Sequence, residues 1–122
     1  MTTTAAKTEN KTFAEPDETR TFERGQVDLV DIADTQIGRL TLQPGWRWSE
    51  HVKPIAGTDL CLAPHFQYQV QGTLRIRMGD GTEIETHAGA VTAVPEGHDA
   101  WVVGDETVVL VDWWGASNYA KG

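Results

Sequence analysis

The sequence predicts an all-β domain, a sandwich or barrel of short strands, and three observations predict it. From Val27 onward, apolar residues recur with a period close to two, as in half-buried strands. Breaks such as Pro44-Gly45, Gly79-Asp80-Gly81, Pro95-Glu96-Gly97 and Gly104-Asp105-Glu106 interrupt those runs at short intervals. No stretch combines a helical period with caps at both ends, and strands at such spacing with Gly/Pro turns belong to sandwiches and barrels.

Residues 1–20 are rich in Thr, Glu, Lys and Ala and have no sustained apolar period. They read as a flexible arm, or as a strand that orders only against a partner subunit. The barrel domain is expected over residues 21–118, with a short tail at 119–122. Val27, Leu29 and Ile32 open one strand, and Ile37, Leu40 and Leu42 lie on the next. Trp46 and Trp48 alternate with Arg47 and Ser49, which suggests a third, and Pro54 to Asp59 reads as a loop. Cys61 to Gln71 is a long strand, followed after Gly72 by Thr73 to Met78. Asp80-Gly81 between alternating runs marks a hairpin into Thr82–Thr86. Ala90 to Val94, Ala100 to Val103 and Thr107 to Trp114 complete the set.

The chain has 122 residues, which fits one domain, and a domain this small gains from covering apolar surface by self-association. A homodimer is therefore expected. The formal charge of −8 repels phosphate backbones and anionic lipid, which argues against nucleic-acid and membrane-surface roles. A single cysteine, Cys61, excludes an intrachain disulfide. The opening MTTTAAKTENK lacks an apolar h-region, and no apolar run approaches the roughly 18–20 residues of a membrane helix, so the expected location is the cytoplasm.

Strand alternation divides the long strand into two unlike faces. Cys61, Ala63, His65, Gln67, Gln69 and Gln71 share one, while Leu62, Phe66, Tyr68 and Val70 share the other. Either the polar face lines a pocket and the apolar one makes an outer contact, or the polar face is solvated. Cys and three Gln, rather than Lys and Glu, favour the pocket.

Here the chain resembles the cupins. Gly45 is followed after five residues by His51, and His65 after six residues by Gly72, as in that family's first motif. Gly89, Pro95 and Gly97 match the spacing of its second. The resemblance spans residues 36–114 and implies a double-stranded β-helix, or jelly-roll, barrel. It implies metal ligands at positions 51, 53, 65 and 100, where this chain has His51, Lys53, His65 and Ala100. His98 stands two residues early, about 6.5 Å along a regular strand, and reaches the site only if the backbone bends at Gly97.

Two outcomes follow. His51, His65 and His98 form a three-histidine site for Zn, Fe, Ni or Cu with an open position for water or substrate. The resemblance then implies a small-molecule enzyme with oxygenase, isomerase, epimerase or decarboxylase chemistry. His51, Lys53 and His65 would be its catalytic groups, Lys53 stabilising an anionic substrate. Alternatively the barrel is a metal-free module that binds or senses a small molecule, without catalysis. Trp48, Gln67, Gln69 and Trp101 are the candidate substrate-binding residues in either case, and the tryptophans suit an aromatic or apolar ligand. Trp113 and Trp114 are assigned to the core or a dimer contact. Cys61 is expected to be a buried, inert thiol.

Overall fold

Val27, Leu29, Leu40 and Leu42 alternate with more polar neighbours, and that period places them on one side of a long hairpin. In the computed structural model, which describes residues 7–115 and 119–120, β2 (Gly25–Ile32) pairs antiparallel with β3 (Thr35–Leu42) along their whole length. On one side β1 (Glu18–Phe22) adds to β2. On the other, β3 pairs with β9 (Val108–Asp112), β9 with β4 (His65–Gln71), and β4 with β7 (Val91–Val94). A second sheet has the order β6 (Glu83–His87), β5 (Thr73–Met78), β8 (His98–Val102). All the pairings are antiparallel, and the two sheets close on each other as a jelly-roll barrel.

The core lies between the sheets. Val27, Leu29, Leu40, Leu42, Val108 and Leu110 from the larger sheet meet Leu74, Ile76, Ala100 and Val102 from the smaller one. Each buried Leu or Ile contributes about 1.5–3 kcal/mol relative to exposure. The β5–β6 turn is the Asp-Gly hairpin expected: Gly81 has φ +92°, and the Asp80 carboxylate accepts from the Thr82 N–H at 2.9 Å.

Local differences from the sequence reading have physical causes. Trp46 and Trp48 are not on a strand; α1 (Trp48–His51) and α2 (Lys53–Ala56) follow each other as single turns. Pro54, at the start of α2, presets helical φ, and Gly57 at φ +75° closes the turn by donating its N–H to the Lys53 carbonyl. The long strand is cut at Pro64: Cys61 makes only an isolated bridge to His98, and β4 starts at His65. β1 begins inside the segment assigned to the arm, and Asp17 ties the residues before it to β2 by accepting from the Asp31 N–H at 2.7 Å. Residues 1–6 of the arm, 116–118 of the barrel and 121–122 of the tail lie outside the described residues. No helix among the described residues is long and apolar enough to cross a membrane.

Candidate metal centre

Four pieces of chain meet at one end of the barrel interior. The Cys61 bridge and the start of β8 bring Cys61 and His98 together, because the Cys61 N–H donates to the His98 carbonyl at 2.8 Å and the Gly97 N–H to the Cys61 carbonyl at 2.7 Å. Gly97 has φ +91°, the bend His98 needed to reach the interior. His65 opens β4, and Asp112 closes β9 one register step away, opposite Gln67.

The three donors converge. Ligand atoms of Cys61, His65 and His98, all buried, lie within 4.8 Å of one another. Cys61 Sγ is 3.9 Å from His65 Nε2, and the two imidazole rings meet edge-on with centroids 5.1 Å apart. Each ring is oriented through its other nitrogen. His65 Nδ1 lies 2.5 Å from Asp112 Oδ2, and His98 Nδ1 donates to the Pro95 carbonyl at 2.8 Å. A carbonyl only accepts, so His98 Nδ1 carries a hydrogen, which leaves Nε2 as its candidate ligand atom. Asp112 is itself fixed, its Oδ1 accepting from the Phe66 and Trp114 N–H groups, each at 3.1 Å. Second partners of this kind hold metal-ligating histidines in register.

Electrostatics tune the pair at the centre. Burial opposes charge on both groups. Hydrogen bonds from His65 and His98 outweigh it at Cys61 and bring the thiol down to about 6. At His65, Asp112 and Cys61 outweigh burial and hold the imidazole up to about 9. Tyr119 packs 5.7 Å from the His65 ring, and burial pushes its hydroxyl well above its usual value.

A small cavity of about 30 Å³ opens beside the histidines, lined by Trp46, Trp48, Gln67, Tyr119 and aliphatic side chains of both sheets. Outside it, a cleft of about 320 Å³ shares Trp48 and Tyr119 and reaches Cys61.

The structure keeps some expected site residues together and separates others. His65, His98, Gln67 and Trp48 meet at the cavity. His51 does not join them: on α1 its Nδ1 accepts from the Arg47 N–H at 3.0 Å, and its Nε2 faces Glu23 at 3.9 Å. The donors that converge are thus Cys61, His65 and His98, and His51 is not among them. Lys53 is near the surface, 3.5 Å from Asp59. Gln69 is buried but spent on structure, donating to the Gly72 and Thr86 carbonyls at 2.6 and 3.1 Å and accepting from the Thr86 hydroxyl at 2.6 Å. Trp101 sits on the opposite face of β8 from His98, under the Arg47 guanidinium at 4.1 Å. Trp113 and Trp114 are exposed rather than in the core.

Cys61, Asp112 and Tyr119 are the residues that the sequence reading missed. Asp112 had a signal: it shares strand parity with Val108 and Leu110, so an acid falls on the inward face of an apolar run. Cys61 had one in sharing the polar face with His65, but a straight strand keeps the two apart, and only the break at Pro64 brings them together.

An antiparallel jelly roll with buried histidines at one end is the cupin fold, and this chain has it. No protein-family model matches the sequence, and no curated protein does. Solved structures do. The oxalate decarboxylase of Lactobacillus farciminis superposes with a TM-score of 0.60 at 20% identity, over 84% of this chain and 32% of that one. An oxalate decarboxylase of Bacillus subtilis, described with Mn(II) centres, gives 0.54 at 24%, over 86% and 28%. A DUF1255 protein of unknown function from Acinetobacter sp. ADP1 gives 0.55 at 16% and is covered over 98% of its length. The chain thus spans about a third of the decarboxylases and nearly all of the DUF1255 protein.

Proposed function

We propose that the chain is a metal-dependent enzyme of cupin type acting on a small organic molecule, with Cys61, His65 and His98 as the protein ligands. The observation that carries this reading is the convergence of three buried donors whose rings are already oriented from behind. A thiolate with two imidazoles suits Zn, Fe or Cu better than Mn, which prefers oxygen donors. Three protein ligands leave a position open, where a bound ion supplies Lewis acidity, an acidic water or a place for dioxygen. Oxygenase, isomerase and decarboxylase chemistries all use such a position. Asp112 orients the His65 ring, the Pro95 carbonyl orients His98, and the aliphatic wall excludes bulk water from the cavity.

The reading includes a homodimer. What supports it is an outward apolar face on β4 and β7, where Phe66, Tyr68, Val70 and Val91 stand exposed.

Metal analysis of protein purified without chelator tests the assignment. About one equivalent is expected in the wild type and in His51→Ala, and loss in Cys61→Ala and His65→Ala. A wild type that arrives metal-free and takes up neither zinc nor cobalt overturns it.

One observation favours a second reading. Cys61, His65 and Asp112 also stand in line as thiol, imidazole and carboxylate. Without metal, that line makes Cys61 a reactive thiolate in a small-molecule pocket. Fast alkylation of Cys61 near pH 7 in a protein that takes up no metal would select it.

A further inference from the structure

One buried polar group at the barrel cavity has no partner, and a second polar side chain lines the same cavity. Trp46 is 2% exposed, and its indole N–H meets no acceptor. Gln67 is 4% exposed and lies on the same inward face of β4 as His65. Both line the cavity of about 30 Å³ that His65 and His98 also line. Their neighbours on the same face of β4 have partners, His65 Nδ1 in Asp112 and the Gln69 amide in Gly72 and Thr86. Buried polar groups without partners are uncommon in folded proteins and ask for an occupant.

The placement of both groups is built in. The Trp46 carbonyl accepts from the Val102 N–H at 3.0 Å, which holds the residue against β8. Gln67 is held by its register opposite Asp112 and Thr92.

We propose that Trp46 and Gln67 form the recognition subsite for the carboxylate of a small organic acid. The proposal deepens the reading above and rests on it for the cationic charge that offsets a buried anion. Indole nitrogen only donates, so its partner must be an acceptor, and the Gln67 amide can present N–H to the same ligand. The space holds about two or three water-sized atoms, the size of a carboxylate group. Leu40, Leu42, Leu74, Ile76, Val94 and Leu110 complete the wall, and in such surroundings a hydrogen bond to a charged acceptor is strong. Dioxygen fits the volume but is too weak an acceptor to satisfy two donors.

The test uses the full-length, nitrogen-15-labelled, zinc-loaded protein titrated with formate, the smallest carboxylate, against sodium chloride at equal ionic strength. The indole signal missing from Trp46→Phe identifies Trp46 among the five tryptophans. The expected result is a saturable, formate-specific shift of that signal while those of Trp113 and Trp114 stay put. Gln67→Leu is expected to weaken binding by at least about tenfold, because a lost hydrogen bond to charge discriminates strongly. Gln67→Glu keeps the size, adds a like charge and is expected to abolish binding, which serves if the leucine variant folds poorly. A Trp46 signal unmoved by formate in protein carrying one zinc overturns the subsite and leaves the metal reading standing. A shift in protein that binds no zinc supports the subsite and overturns the metal reading instead.

Discussion

His65 sits between a carboxylate and a thiol, and the two partners give the metal-free site an unusual response to pH. An imidazole raised to about 9 stabilises the fold fully below its ordinary 6.5 and loses that contribution as pH rises through about 9. A thiol lowered to about 6 does the reverse: its contribution is complete above the ordinary 9.0 and disappears as pH falls through about 6. Across the shared window, folded and unfolded chains each carry one proton on this pair, on nitrogen when folded and on sulfur when unfolded. The two slopes cancel. Cys61→Ala removes one of them while Asp112 keeps His65 raised, so the Tm of the metal-free variant should fall further below wild type as pH climbs from 6.5 to 9. A constant gap in thermal melts over that range would contradict the pairing. At the same scale, Asp112→Asn removes the charge behind His65 and should weaken metal binding by about 10–100-fold. Competition with a chromophoric chelator measures this directly.

Among the elements, the connections rather than the strands decide whether the centre exists. Pro64 ends the extended run before β4, Gly97 turns the chain into β8, and the segment after β9 passes over the site at Gly115. A Cβ on Gly115 would run into the Pro64 carbonyl and sit 3.2 Å from His65 Nδ1. Backbone cannot yield as a flexible side chain would. Gly115→Ala is therefore expected to cost about 1–3 kcal/mol in urea denaturation, as overpacking does, and to lower metal content with it. Unchanged stability with full metal occupancy would show that the segment clears His65 more freely than this geometry allows.

For the whole molecule, β4 inverts the usual arrangement. His65, Gln67 and Gln69 face inward, and Phe66, Tyr68 and Val70 face out beside Trp113 and Trp114. The Phe66 ring lies 5.0 Å from that of Trp114 and 6.0 Å from that of Trp113, so these three aromatics form one contiguous patch. Apolar patches of this kind mark contact surfaces. In the proposed homodimer, Phe66→Glu should give a monomer by sedimentation equilibrium while keeping the metal content of the wild type. Identical sedimentation of the two proteins would move the contact elsewhere.

Alternation of apolar side chains and turn-forming Gly and Pro residues were enough, read along the chain, to predict the all-β barrel, most of its strands and the polar inner face of β4. These are local properties, written in neighbours two to four residues apart. Which groups form the centre was decided elsewhere. His51 has the expected motif spacing, yet its segment coils into a helical turn and its ring bonds back to Arg47. Cys61 and His98 reach His65 through bends at Pro64 and Gly97, and Asp112 arrives from 47 residues away. Convergence of that kind depends on sheet register and chain direction, which arise only when the two sheets close over their shared core.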